Sequence, residues 1–273
     1  AATTPFHAAK CLEDTLLAAG FTHAAEDVAA EAGGPGILLR QGGSLIALRP
    51  GKGPLLEAGL RMVGAHTDSP CLMVKPQPEQ RSQGYLQLGV EVYGGALLNP
   101  WFDRDLSLAG RVSHAARAGA VTTSLVDFRR PVAVIPSLAI HLDREANSNR
   151  SVNAQTQMAP ILAIDGDSDW SLRAALVDKL REDGHDVGEV LDFELCFYDT
   201  QAPAMIGLHE DFIAAARLDN LLSCYTGLQA LLGADGDQWS LLVCNDHEEV
   251  GSRSASGAQG AMLRHFLQSL LPS

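Results

Sequence analysis

The sequence predicts an α/β fold, a mixed central sheet flanked by helices, interrupted by an inserted β-rich, barrel-like stretch. Three observations carry that prediction. Apolar residues recur at three- and four-residue spacing near both ends of the chain. Short apolar runs at Leu60–Ala65 and Trp239–Cys244 read as buried strands. Between them, short runs with period-two alternation are broken by Gly and Pro, the texture of an all-β segment. The expected division is 1–75, an insert at 76–205, and 206–273.

Taken in order, Phe6, Cys11, Leu12, Leu16 and Ala19 stripe one face of a helix that Gly20 stops. Gly36–Gln41 and Ser44–Leu48 read as strands joined by the hairpin signal Gln41-Gly42-Gly43. Leu60–Ala65 runs as a strand directly into His66. Within the insert, strands are expected at Tyr85–Tyr93, Leu106–Ser113, Val121–Phe128, Val132–Ile135 and Glu189–Tyr198, with a helix at Trp170–Glu182. Beyond it, Asn220–Leu232 is helical, Trp239–Cys244 is a strand, and Gly257–Leu271 is a final amphipathic helix.

Composition narrows the function classes. The 273 residues are 46% hydrophobic and 19% charged, enough apolar matter for a sizeable core. Twenty Lys+Arg against thirty-three Asp+Glu give a net charge of −13, which argues against a general nucleic-acid or anionic-membrane binder. No apolar run approaches the roughly 20 residues that span a bilayer. The five cysteines are odd in number, widely spaced and form no CxxC pair, so neither a zinc ribbon nor a disulfide framework is expected. A reduced, cytoplasmic setting is the simplest reading, and Ala1–Lys10 is too mixed for a signal peptide. The chain lacks an initiator Met, and is expected to be a piece of a longer protein.

Three segments then share a position, each after an expected strand or opening an expected helix: Gly64-Ala65-His66-Thr67-Asp68-Ser69-Pro70, Ala216-Arg217-Leu218-Asp219-Asn220, and Asn245-Asp246-His247-Glu248-Glu249-Val250-Gly251-Ser252. Ligands in open α/β sheets bind outside the carboxyl ends of strands, so these segments can converge on one crevice. Imidazole and carboxylates suit a pair of divalent metals, and adjacent glutamates can divide the labour of ligand and base. Asp68 can orient His66 or its surroundings. Each element alone has a bland reading: a turn with a satisfied histidine, Asp219 as a helix N-cap, and Glu248-Glu249 as a solvated acidic turn. Competing motifs fail. His247-Glu248-Glu249-Val250-Gly251 starts like HExxH, but Gly251 stands where the second His is required. There is no G-x-S-x-G elbow and no P-loop, and Cys71 and Cys244 read as packing residues.

The exact strings carry more. Val63–Pro70, Gly89-Val90-Glu91-Val92-Tyr93-Gly94-Gly95, Trp101-Phe102-Asp103-Arg104-Asp105-Leu106, Ile135–Leu142 with its Ala139-Ile140-His141, Ala216–Asn220 and Asp246–Ser252 resemble the aspartyl aminopeptidase family of dizinc metallopeptidases. The motifs arrive in that family's order, from about Pro5 to the last helix. The resemblance implies a peptidase domain interrupted by a dimerisation domain, a peptide substrate, two Zn2+ per subunit, and dimers assembling into a dodecamer, with no nucleic-acid or membrane partner. It implies that His66 and Glu249 each ligate one metal, that Asp219 bridges both, that Glu248 is the general base, and that Asp68 supports the ligand histidine. It further implies that His141 reaches a neighbouring subunit's active site to help hold the reacting carbonyl; its bland reading is a half-buried strand residue. The family's remaining ligands, an aspartate and a histidine, and the cation that selects an acidic side chain, are expected downstream of this chain. Two alternatives stay open at this point: an inactive fragment lacking those last ligands, and a related co-catalytic zinc hydrolase of different specificity.

Overall fold

The structure is a computed structural model that describes residues 2–24, 30–117, 119–166 and 169–271. It divides into two compact units, Ala1–Ser69 with Ala215–Ser273, and Pro70–Ala214. The sequence placed the corresponding boundaries at 75/76 and 205/206. Among the described residues no helix is long and apolar enough to cross a membrane.

In chain order the elements are α1 (Pro5–Ala18), β1 (Thr22–His23), β2 (Ile37–Gln41), β3 (Ser44–Arg49), α2 (Leu55–Ala58) and β4 (Leu60–His66). The second unit supplies β5 (Cys71–Ser82), β6 (Tyr85–Tyr93), β7 (Leu106–Ala115), β8 (Val121–Asp127), α3 (Ala154–Gln157), β9 (Ile161–Ile164), α4 (Leu172–Glu182), β10 (Glu189–Asp199), β11 (Ala204–Ile206) and β12 (Phe212–Ala214). The chain then returns to the first unit with α5 (Leu218–Gly233), β13 (Trp239–Asn245) and α6 (Met262–Ser269).

The first unit is built on a mixed sheet in the order β1-β2-β3-β13-β4, with β13 antiparallel to β3 and parallel to β4. Strands β3 and β13 read as continuous apolar runs because both their faces are covered, whereas β4, expected as a buried strand, is an edge strand with no buried residue. Leu45, Ala47, Leu242 and Cys244 pack with Leu12 and Leu16 of α1 and Cys224, Leu228 and Leu231 of α5. The alternate residues Ile46, Leu48, Leu241 and Val243 pack with Met262 and Phe266 of α6. At the sheet's edge β4 leaves Met62 and Val63 about half exposed, at 53% and 47%. The second unit is an antiparallel sheet in the order β8-β7-β10-β5-β6-β9, around a core that α4 enters through Leu172, Leu176 and Leu180. Two isolated bridges, Leu106 with Ala133 and Val134 with Ile161, link β7 towards β9, but among the described residues the strands form no closed barrel.

Two further expectations need correction, and one strand has no counterpart in the sequence reading. Val132–Ile135 is no strand but only those two bridges, because Pro131 and Pro136 flank it and remove ladder donors. The last helix begins at Met262 rather than Gly257, since Gly257 and Gly260 lie in a turn closed by the Gly260 N–H donating to the Gly257 carbonyl at 2.8 Å. Strand β5 went unread because it contains Pro76 and Pro78; its register with β6 shifts between Val74 and Glu79, and the bulge takes up both prolines.

One buried histidine makes the second unit sensitive to acid. His114 on β7 is 1% exposed, its Nε2 is 3.0 Å from Ser124 Oγ of β8, and Ser124 Oγ is 3.4 Å from His185 Nδ1. Burial, reinforced by His185, lowers the pKa of His114, with Asp186 opposing. The unfolded chain therefore binds this proton more readily than the folded one, so stability is full above the ordinary value of about 6.5 and is lost as pH falls through it. The urea midpoint should fall between about pH 7 and pH 5, and His114→Gln should flatten that slope. An unchanged slope in the variant would show that His114 is not the group responsible.

Candidate metal centre

The site is assembled by strand pairing. Parallel β4 and β13 run in register to their carboxyl ends, where His66 lies opposite Asn245. Thr67 locks the exit: its N–H donates to the Asn245 carbonyl at 2.8 Å and its hydroxyl to the Gly43 carbonyl at 2.7 Å. Gly43, in the β2–β3 turn, has no room for a side chain, because a Cβ there would overlap the Asp246 carboxylate. Asp246 is 1% exposed, and its N–H donates to Ser44 Oγ at 2.7 Å. From there the chain turns through His247 in the left-handed region (φ 66°) into a single 3-10 turn, Glu248–Val250. Both glutamates are thus delivered beside His66.

Asp68 fixes that turn. It is fully buried, and its two carboxylate oxygens accept the backbone N–H groups of Glu248 and Glu249, each at 3.1 Å. His66 Nδ1 is hydrogen-bonded to the Asp68 backbone carbonyl at 3.1 Å, with the Asp68 carboxylate 3.3 Å away, which leaves Nε2 facing Asp219. Asp219 completes the cluster from the start of α5. Asp219 and Asn220 have non-helical backbone angles, so Asp219 is not the simple first residue of a regular helix. Ser69 Oγ donates to the Asp219 carbonyl at 3.0 Å, and the 85% exposed Asp219 side chain brings Oδ1 to 3.4 Å from His66 Nε2.

The donor set fits a divalent metal. Ligand atoms of His66, Glu248 and Glu249 all lie within 4.8 Å of one another. A tetrahedral zinc with arms of about 2.1 Å spaces its ligand atoms about 3.4 Å apart. The His66–Asp219 pair already has that spacing, while Glu248 Oε2, 3.8 Å from Nε2, stands beside it. Burial raises the pKa of Glu249, as do Asp68, Glu248 and Asp219, while His66 pulls it down. Crowded carboxylates of this kind are relieved by a cation.

The first unit thus brings together His66, Asp68, Asp219, Glu248 and Glu249. His141 belongs to the other unit, where it is exposed in a turn and not in a strand. The sequence reading missed the supporting polar residues Ser44, Thr67, Ser69 and Asp246. The signal available was the clustering of small hydroxyl and acidic residues beside His66 and Glu248, without a partner to assign them. Asp68→Ala would leave two backbone N–H groups unpaired and should cost about 2–4 kcal/mol in urea unfolding of the whole protein. A loss below about 0.5 kcal/mol would mean that the 3-10 turn holds itself.

Comparison with known proteins places the chain in a family. The model of the family described as aminopeptidase I zinc metalloprotease (M18) matches residues 1–272. The chain is 58% identical over 276 residues to the "Probable M18 family aminopeptidase 2" of Pseudomonas fluorescens, covering all of this chain and 64% of that relative's length. Among solved structures it resembles a chain of the "Ape4 and Nbr1 complex" with a TM-score of 0.90 and 34% identity, covering 97% of this chain and 56% of that one. It also resembles the "S. cerevesiae mApe1 dodecamer" with a TM-score of 0.78 and 25% identity, covering 97% and 62%. The chain therefore belongs to the M18 family of zinc metalloproteases.

Proposed function

We propose that the whole protein is an aminopeptidase that removes N-terminal acidic residues, Asp or Glu, from peptides. The observation that carries the reading is the meeting of His66, Glu248 and Glu249 within 4.8 Å, with Asp219 beside them. His66 and Glu249 would each hold one zinc ion and Asp219 would lie between the two; an aspartate and a histidine beyond this chain would complete the set. When bound, zinc supplies the Lewis acidity that polarises the scissile carbonyl and makes water acidic near neutral pH.

The chain's own residues do the rest. Glu248, at 56% side-chain exposure, faces solvent more openly than Glu249, as a group that must meet both water and substrate requires. It takes the proton from the attacking water and returns it to the leaving amine. Asp68 keeps both glutamates in place through their own N–H groups and faces His66 Nδ1, so the imidazole presents Nε2.

His141 would act on a neighbouring subunit, helping to hold the reacting carbonyl there. Its turn is suited to an interface, since Leu138, Ile140 and Leu142 around it are more than half exposed. A homo-oligomer built through the β-rich unit, ultimately a dodecamer, follows from that reading. Preference for acidic peptides requires a local cation, because a net charge of −13 repels them at long range.

Glu248→Gln in the whole protein should lower kcat by about 10²–10⁴ while zinc content stays unchanged. Loss of zinc from that variant would make Glu248 a ligand instead. Measured side by side, kcat/KM for aspartyl and glutamyl substrates should exceed that for leucyl substrates by about a hundredfold. Equal values would replace the acidic specificity with a broad one.

A further inference from the structure

We infer that the β-rich unit carries a second ligand site, a pocket for a small apolar monocarboxylate. A cavity of about 280 Å³ opens between β6, β7, β9 and α4, entirely within that unit. Its floor is core: Leu108 is 2% and Leu172 1% exposed. Phe128, Leu162 and Trp170 form its walls. The volume suits about ten non-hydrogen atoms, at the small end of ligand pockets.

Charge at the mouth selects the ligand's head. Among the described residues three charged ones line it, Arg81, Asp165 and Arg130. Arg81 and Asp165 form an ion pair with each other, which cancels their charges. Arg130 is exposed, and among the described residues neither a hydrogen bond nor an ion pair engages its side chain. Among the described residues the mouth therefore carries one uncommitted guanidinium, in a chain whose overall charge is −13. A guanidinium fork matches a carboxylate in a two-point, charge-assisted contact. The apolar walls take the body of the same molecule and offer a second charge no partner. A phosphate would find one cation where it requires several donors, and an uncharged hydrocarbon would leave Arg130 unused. The combination fits a single carboxylate on an apolar chain or ring.

This site lies in a different unit from the His66 cluster and does not depend on the peptidase reading. Calorimetric titration of the whole protein with octanoate, followed in parallel by tryptophan fluorescence, tests it. Binding is expected with a dissociation constant of roughly 0.1–1 mM, and octanamide, which lacks the charge, should bind at least about tenfold more weakly. Arg130→Gln should weaken octanoate about tenfold without altering peptidase activity, and Leu162→Trp should abolish binding by filling the cavity. The proposal is overturned if octanoate shows no saturable binding, if octanamide binds equally well, or if Arg130→Gln leaves affinity unchanged. A change of oligomeric state in Arg130→Gln, with octanoate affinity intact, would assign this mouth to a subunit interface instead.

Discussion

The parallel pairing of β4 with β13 is the constraint on which the rest depends. Because the two strands end level, with His66 opposite Asn245, whatever follows them emerges at the same point in space. Residues 66–69 and 246–249 are about 180 positions apart in sequence, yet the ladder makes them neighbours before any side chain is considered. The apolar alternation that buries Leu242 and Cys244 on one face and Leu241 and Val243 on the other fixes this register. A slip of one residue would turn each of these side chains to the wrong layer. The chemistry of the site is in that sense a consequence of core packing.

The polar residues between strand and cluster convert that proximity into geometry. Asp68 is buried without exposure, a costly place for a carboxylate, and it is accommodated by two backbone N–H donors from the glutamate turn. Thr67 and Ser44 tie the same region to the β2–β3 turn and to Asp246. Such a network rigidifies when every member is satisfied, which is what closely spaced metal ligands need. The division of the chain follows the same logic: the first unit holds the cluster, while the second offers exposed turns and its own cavity.

Much of this was legible in the amino-acid sequence, for identifiable reasons. Helix α1, the Gly42-Gly43 hairpin and the two strands ahead of His66 and Asp246 announce themselves through local periodicity, and local rules suffice there. The strings around His66, Asp219 and Glu248 pointed to the family because their order is distinctive. Where the reading failed, a local signal was overridden. Pro76 and Pro78 look like a strand's end but sit in a bulge, and the apolar Val132–Ile135 looks like a strand but is fenced by prolines. Asp68 was expected to serve His66; that it also holds the Glu248 and Glu249 backbone is a contact across 180 residues that no spacing rule can foresee. The departure of Asp219 from helical geometry, and the pocket beneath Trp170, arise only once the chain is folded.

On the proposed reading, His66, Asp219 and Glu249 share one pair of cations. Diffraction from crystals of the whole protein, recorded on both sides of the zinc absorption edge, addresses it directly. Two anomalous peaks are expected roughly 3.5–4 Å apart, one about 2.0–2.2 Å from a His66 ring nitrogen, one at that distance from Glu249, and both within bonding distance of Asp219. A zinc-loaded protein whose peaks lay elsewhere, with these three side chains bound to no common metal pair, would contradict it.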